Sequence, residues 1–139
     1  ELPSGPDIEI SYDLTGLKVL VVEDNELNME IAHYLLEDEH MEVTEAGDGA
    51  QALELFSKNP PGTFDLILMD LMMPVMDGFT ATRKIRHLDR PDAKTIPIFA
   101  MTANAFAEDI QASKNAGMNG HIAKPIEMKK LMKTLSQIL

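Results

Sequence analysis

Two apolar runs in this chain end in carboxylates. "LKVLVVED" (17–24) closes on Glu23 and Asp24, and "FDLILMD" (64–70) closes on Asp70. An isolated carboxylate is costly to hold beside a core, so three of them at run ends call for a compensating charge. Two further runs end in groups of other kinds. "IPIFAMTA" (96–103) carries Thr102 near its end, and "NGHIA" (119–123) leads into Lys124. Hard oxygen donors, with no cysteine in the chain, suit Mg²⁺ or Mn²⁺. Such an ion, held by a few carboxylates, keeps positions for water and phosphate oxygens. Lysine binds phosphate as a point charge. A carboxylate nucleophile, a divalent metal and a lysine are the parts required for an aspartyl phosphate. In that chemistry Asp70 attacks phosphorus. The metal and Lys124 offset charge on the equatorial oxygens, and Thr102 hydrogen-bonds one of them after transfer.

Each piece alone is weak. An acidic pair after a strand is more often a loop or an N-cap. A lone threonine is more often a strand residue, and a lone lysine a surface residue. The pieces matter only if the fold brings them together, so the elements around them decide the question.

Residues 1–16 hold two prolines and two glycines without a sustained period and read as a linker or arm. From 17 on, apolar runs and helical periodicities alternate. Strands are expected at 17–23, 41–46, 64–70, 96–103 and 119–123. Helices are expected at 27–40, 48–59, 78–88 and 105–117, and along 128–139. In the first helix Leu27, Ile31, Tyr34 and Leu35 fall at helical spacing. In the last, Met128, Leu131, Met132, Leu135, Ile138 and Leu139 share a face. Strand–helix repeated five times implies an α/β fold, a doubly wound five-stranded parallel sheet covered by five helices. In such sheets functional residues gather at the carboxyl ends of the strands. All the groups named above sit at those ends.

At 139 residues the chain is expected to form one domain, with residues 17–139 as its body. The net charge of −11 argues against general nucleic-acid binding. That charge is uneven: residues 1–70 hold 17 acids and 2 bases, residues 71–139 hold 6 acids and 10 bases. Two differently solvated surfaces account for this; the sharper reading is an acidic focus awaiting a cation. No apolar run approaches membrane-span length, and no secretory leader is visible. The chain begins at Glu1 rather than at methionine, which suggests a piece of a longer protein. Met69, Met72, Met73 and Met76 lie within eight residues. Thioethers are soft copper ligands, but adaptable packing around a loop explains them more simply. The four histidines, 33, 40, 87 and 121, lack metal-ligand spacing.

Together these residues resemble the receiver domain of two-component response regulators, over about Leu17 to Leu139. "VLVVEDNELN" is similar to that family's first strand and acidic pair, and "DLILMDLMMPVMDG" to its phosphoacceptor strand and following loop. "AMTA" and "HIAKP" are similar to its last two signatures. "VVEDNELN" and "MTANAF" look most like receivers attached to hybrid sensor histidine kinases. The resemblance implies a flavodoxin-like (βα)5 fold with Asp70 as phosphoacceptor. It implies Glu23, Asp24, Asp70 and the Met72 carbonyl as metal ligands, and the N–H groups of Met72 and Ala103 as phosphoryl donors. Thr102 and Lys124 take the switch hydroxyl and lysine positions, and the Lys124–Pro125 bond is expected to be cis. Glu23 stands where Asp is more frequent, so it is expected to act through water or to shift the metal slightly. His121 stands where many relatives carry a Tyr or Phe that turns inward on activation. It either rotates likewise or is a half-exposed strand residue without a signal; the second is slightly favoured, since relay receivers without an output domain ask less of this position.

The implied activity is self-catalysed phosphotransfer and dephosphorylation at Asp70. The implied partners are a histidine kinase domain, expected in the same chain, and a histidine phosphotransfer protein. Direct contact with nucleic acid or membrane is not expected. The expected location is the cytoplasm, with tethering to a membrane-anchored kinase. The rival is a stand-alone or DNA-linked regulator that dimerises on phosphorylation. A phosphatase of the haloacid dehalogenase type also forms an aspartyl phosphate but needs Asp-x-Asp, and residue 72 is Met. A degenerate receiver would lack Asp70, Thr102 or Lys124, and all three are present.

Overall fold

The computed structural model describes residues 15–73, 75–103, 107–124 and 126–136. Residues 1–14 of the arm, the Lys124–Pro125 bond and positions 137–139 of the last helix lie outside the described residues. Ten regular elements alternate along the chain: β1 (Lys18–Val22), α1 (Glu26–Asp38), β2 (Glu42–Ala46), α2 (Gly49–Lys58), β3 (Leu66–Asp70), α3 (Gly78–Arg86), β4 (Ile98–Thr102), α4 (Ala107–Ala116), β5 (Gly120–Ala123) and α5 (Met128–Ser136). A short 3₁₀ turn at Pro91–Lys94 precedes β4; the sequence gives no periodicity there to announce it.

The strands pair in parallel in the order β2-β1-β3-β4-β5. The central strands are buried on both faces, so β3 is apolar at every position before Asp70. The edge strand β2 is mixed, with only Ala46 buried. Two cores result. Leu20, Val22, Ile67, Met69, Ile98 and Ala100 pack under α2 and α3, with Phe56, Ala81 and Ile85. Val19, Val21, Leu66, Leu68, Phe99 and Met101 pack under α1 and α5, with Leu36, Leu131 and Leu135. Right-handed crossovers place successive helices on opposite faces when strand order reverses. Here it reverses between β1 and β3, which opens a crevice at their carboxyl ends.

Helix starts follow the side-chain capping rule. Asn25, Asp48 and Asp77 accept from the N–H groups of Asn28, Gln51 and Thr80 at 3.0, 2.8 and 2.8 Å. The observed core face of α1 departs from the expected one. Met29, Ala32 and Leu36 are buried and the expected Leu35 packs against that core, partly buried, whereas Leu27 and Tyr34 are 64% and 69% exposed and Ile31 also faces solvent. Helical spacing at 27, 31 and 34 is real, but a helix with apolar residues on two faces buries only the one turned to the sheet.

His33, on α1, reaches Glu45 of β2 through Nδ1 at 2.6 Å and Glu37 through Nε2 at 2.9 Å. Burial works against its charge, but the two glutamates prevail and raise its pKa. Arg86 donates to the Gly117 and Ala93 carbonyls at 3.0 and 3.1 Å and to Asn119 Oδ1 at 2.9 Å. It ties the end of α3 to the turn that launches β5.

Candidate functional site

Strand register builds the site. Val22 of β1 aligns with Met69 of β3, so Glu23 and Asp70 are the next positions along the two strands. Asp70 aligns with Met101, and Thr102 with Ala123. Backbone pairing continues past the formal strand ends: the Glu23 N–H donates to the Ala46 carbonyl at 3.0 Å and the Lys124 N–H to the Thr102 carbonyl at 2.9 Å. The rim groups are therefore held by the sheet itself.

Glu23 and Asp70 are buried, at 4% and 5% exposure, and Asp24 is exposed. Glu23, Asp24 and Asp70 each place a carboxylate oxygen within 4.8 Å of the others. Three such oxygens with no sulfur or imidazole among them fit a hard divalent cation. Lys124 answers part of the charge. Its Nζ stands 2.8 Å from Glu23 Oε1 and 3.0 Å from Asp70 Oδ1. The second Glu23 oxygen, Oε2, accepts from the Asn25 N–H at 3.1 Å. Burial pushes the Asp70 carboxyl up to about 6, with Glu23 adding to the rise and Lys124 opposing it. Burial also disfavours the Lys124 charge, but its bonds to Glu23 and Asp70 outweigh that and hold its pKa above the ordinary value.

The loop after β3 is held close. The Gly78 N–H donates to the Leu71 carbonyl at 3.1 Å. A Cβ on Gly78 would stand 2.2 Å from the Asp70 carbonyl oxygen, so α3 can begin against the end of β3 only with glycine there. Val75 has φ of 70°, a strained setting for a β-branched residue. Met72 and Val75 are 79% and 84% exposed.

Of the groups singled out from sequence, Glu23, Asp24, Asp70 and Lys124 come together. Thr102 closes β4 one residue beyond the partner of Asp70. Met72 and Ala103 are exposed loop positions after β3 and β4. His121 is exposed on β5, in register with Ala100. Leu27, Met29 and Ile126 flank the rim as candidate partner anchors or core residues; Met29 and Ile126 are buried at 8% and 9%, and Leu27 is exposed. Met72 and Val75, in the loop after β3, are exposed as well. The Glu23–Lys124 ion pair escapes a sequence reading, because 101 residues separate its partners and only the register of four strands joins them.

The family model described as the response regulator receiver domain matches residues 19–136. Hybrid signal transduction histidine kinase I of Dictyostelium discoideum is 38% identical over 136 residues, 96% of this chain and 8% of that protein. The chain thus spans less than a tenth of that relative's length. Among solved structures, the receiver domain of sensor histidine kinase PA1611 from Pseudomonas aeruginosa, with magnesium coordinated in its active-site cleft, is 36% identical at a TM-score of 0.79, covering 89% of this chain and 98% of that one. The receiver domain of Ssk1, solved in complex with the Saccharomyces cerevisiae histidine phosphotransfer protein Ypd1, is 26% identical at a TM-score of 0.76, with 89% of both chains covered. With the family model matching most of the chain, the chain belongs to the response regulator receiver domain family, the receiver modules of two-component signalling.

Proposed function

We propose that Asp70 accepts a phosphoryl group from a phosphohistidine and passes it to a histidine phosphotransfer protein. One observation carries the reading: a buried carboxylate at the end of a central strand, 3.0 Å from a lysine ammonium and within 4.8 Å of two further carboxylates. An Asp70 oxygen attacks phosphorus, the P–N bond breaks, and the electron pair leaves with the imidazole, which takes up a proton. Lys124 offsets charge on the transferred group. The Thr102 hydroxyl and the N–H groups of Met72 and Ala103 donate to its oxygens. Glu23, Asp24, Asp70 and the Met72 carbonyl form the cradle for Mg²⁺, whose role when bound is to neutralise phosphoryl charge. The magnesium in the PA1611 receiver supports that ion; the donor set accepts Mn²⁺ as well. His121 is exposed, as either a rotating switch or a silent strand residue would be.

We place the domain at residues 17–139 with 1–16 as its linker, attached to a histidine kinase, in the cytoplasm and tethered to a membrane-anchored kinase. The hybrid-kinase relatives support the attachment. Among the described residues no helix is long and apolar enough to cross a membrane. The docking surface for the phosphotransfer protein comprises Asn25 to Met29, the loop after Asp70 and the segment after Lys124, with exposed Leu27, Met72 and Val75 as its apolar contacts. The Ssk1–Ypd1 complex supports a partner of this type.

The test is intact mass after incubation with acetyl phosphate and Mg²⁺. One added phosphoryl group is expected in the native chain and none in Asp70→Asn, with the adduct labile to hydroxylamine. An equal gain in Asp70→Asn overturns the assignment.

A further inference from the structure

We propose that Met72 is a redox-modification site, where a peroxide-class oxidant forms a methionine sulfoxide that weakens docking of the phosphotransfer protein. The docking half rests on the surface proposed above; the modification site itself does not. The chain carries ten methionines, and core packing accounts for all but one. Met29, Met41, Met69, Met101 and Met118 are buried. Met73 and Met76 pack against the core under α2 and α3, and Met128 and Met132 against the core under α1 and α5. Met72 belongs to neither core and is 79% exposed. A thioether has no proton to lose, so access of the oxidant to sulfur decides which methionine reacts. Of the four methionines clustered around the loop after β3, three are there for packing, and the fourth offers its sulfur to solvent.

Its neighbours hold Met72 in that position. Leu71 is buried, and its carbonyl accepts from the Gly78 N–H at 3.1 Å; Met73 is held by the core. In the reaction the sulfur lone pair attacks one oxygen of the peroxide. The S–O bond forms and the O–O bond breaks. The departing hydroxide takes the proton of the transferred oxygen and leaves as water. Sulfur gives up two electrons and the peroxide gains them. The product is polar where the thioether was apolar. One of three exposed apolar contacts of the docking surface, beside Leu27 and Val75, becomes an acceptor that must shed its water when a partner docks. The Met72 N–H and carbonyl, assigned above to the phosphoryl group and the metal, keep their chemistry. A thiol-dependent sulfoxide reductase reverses the change: two thiols become a disulfide, and the oxygen leaves as water.

The experiment treats the full chain with hydrogen peroxide under native conditions and follows each methionine by mass spectrometry. No Lys or Arg stands between Lys58 and Arg83, so Met69, Met72, Met73 and Met76 share one tryptic peptide and fragment ions separate them. The sulfoxide at Met72 is expected to form at least tenfold faster than at any other methionine, and Met72→Leu is expected to lack this fast phase. Equal rates at Met72 and Met73 overturn the site, and so does a fast phase that persists in Met72→Leu. Mapping of the native chain decides the matter if that variant fails to fold. After desalting, the chain is phosphorylated with acetyl phosphate and Mg²⁺ and offered to Ypd1 as acceptor. The oxidised native chain is expected to gain its phosphoryl group within twofold of the untreated rate but to pass it on at least fivefold more slowly. Sulfoxide reductases with dithiothreitol should restore transfer, and Met72→Leu should transfer equally before and after peroxide. Unchanged transfer by the oxidised native chain overturns the effect on docking. Absence of transfer by the untreated chain instead defeats the relay reading and leaves the mapped sulfoxide standing.

Discussion

Asp70 is held against its own preference for water, and that has a stability consequence. Its folded-state pKa lies at about 6, above the ordinary 3.8. The folded state therefore binds the proton more tightly than the unfolded state. By linkage, the contribution of this group falls as pH rises from about 4 to about 6 and stays low above that. Asp70→Asn removes the penalty. In metal-free buffer it is expected to gain about 2 kcal/mol over the native chain at pH 7, with the gap closing toward pH 4. Urea denaturation across that range checks it. Lys124 stands on the other side of the balance. Lys124→Ala leaves Glu23 and Asp70 buried without their ammonium, at an expected cost of about 3 kcal/mol in metal-free buffer. Millimolar Mg²⁺ should restore most of that loss, while the phosphorylation rate stays low. A melting curve of Lys124→Ala that ignores Mg²⁺ would speak against a shared cation site.

At the scale of elements, two junctions carry consequences. The first is the contact of α3 with the end of β3. Because a Cβ on Gly78 would meet the Asp70 carbonyl oxygen at 2.2 Å, backbone must move. Gly78→Ala is expected to cost about 3 kcal/mol and to slow phosphorylation as well, since the displaced atom belongs to Asp70, the proposed phosphoacceptor. Denaturant midpoints and intact-mass time courses measure the two effects separately. The second junction is His33 between α1 and β2. Its pKa is raised, with burial working against the charge and the bonds to Glu37 and Glu45 outweighing it. A raised folded-state pKa contributes stability that is fully present below the unfolded value and lost as pH rises through the folded one. The native chain should thus lose stability relative to His33→Gln as pH rises above the ordinary histidine value of 6.5, read from melting temperatures in matched buffers.

For the whole molecule, oligomeric state and phosphotransfer separate the relay from its rival. Among the described residues the exposed large hydrophobics are Leu27, Ile31 and Tyr34 on α1 and Met72 and Val75 after β3. Three of them lie on α1 and two in the loop after β3, and none on β5. The chain is expected to remain monomeric, by light scattering, with and without a stable phosphoryl mimic, and to pass its phosphoryl group to a histidine phosphotransfer domain. Strong mimic-driven dimerisation without such transfer would favour the rival.

The sequence by itself determined the alternation of strands and helices, because buried parallel strands must be apolar throughout and their covering helices must repeat every 3.6 residues. It also placed Glu23, Asp24, Asp70, Thr102 and Lys124 at strand ends, since polar residues that close apolar runs can be read directly. Tertiary structure decided the rest. Periodicity could not choose which face of α1 is buried, as Leu27, Ile31 and Tyr34 repeat as regularly as Met29, Ala32 and Leu36; contact with the sheet chose. Nor could it reveal the short distance of Lys124 from Glu23 as well as from Asp70, 2.8 and 3.0 Å. That distance depends on the register of β1, β3, β4 and β5 together, and register is a property of the assembled sheet, not of any one strand.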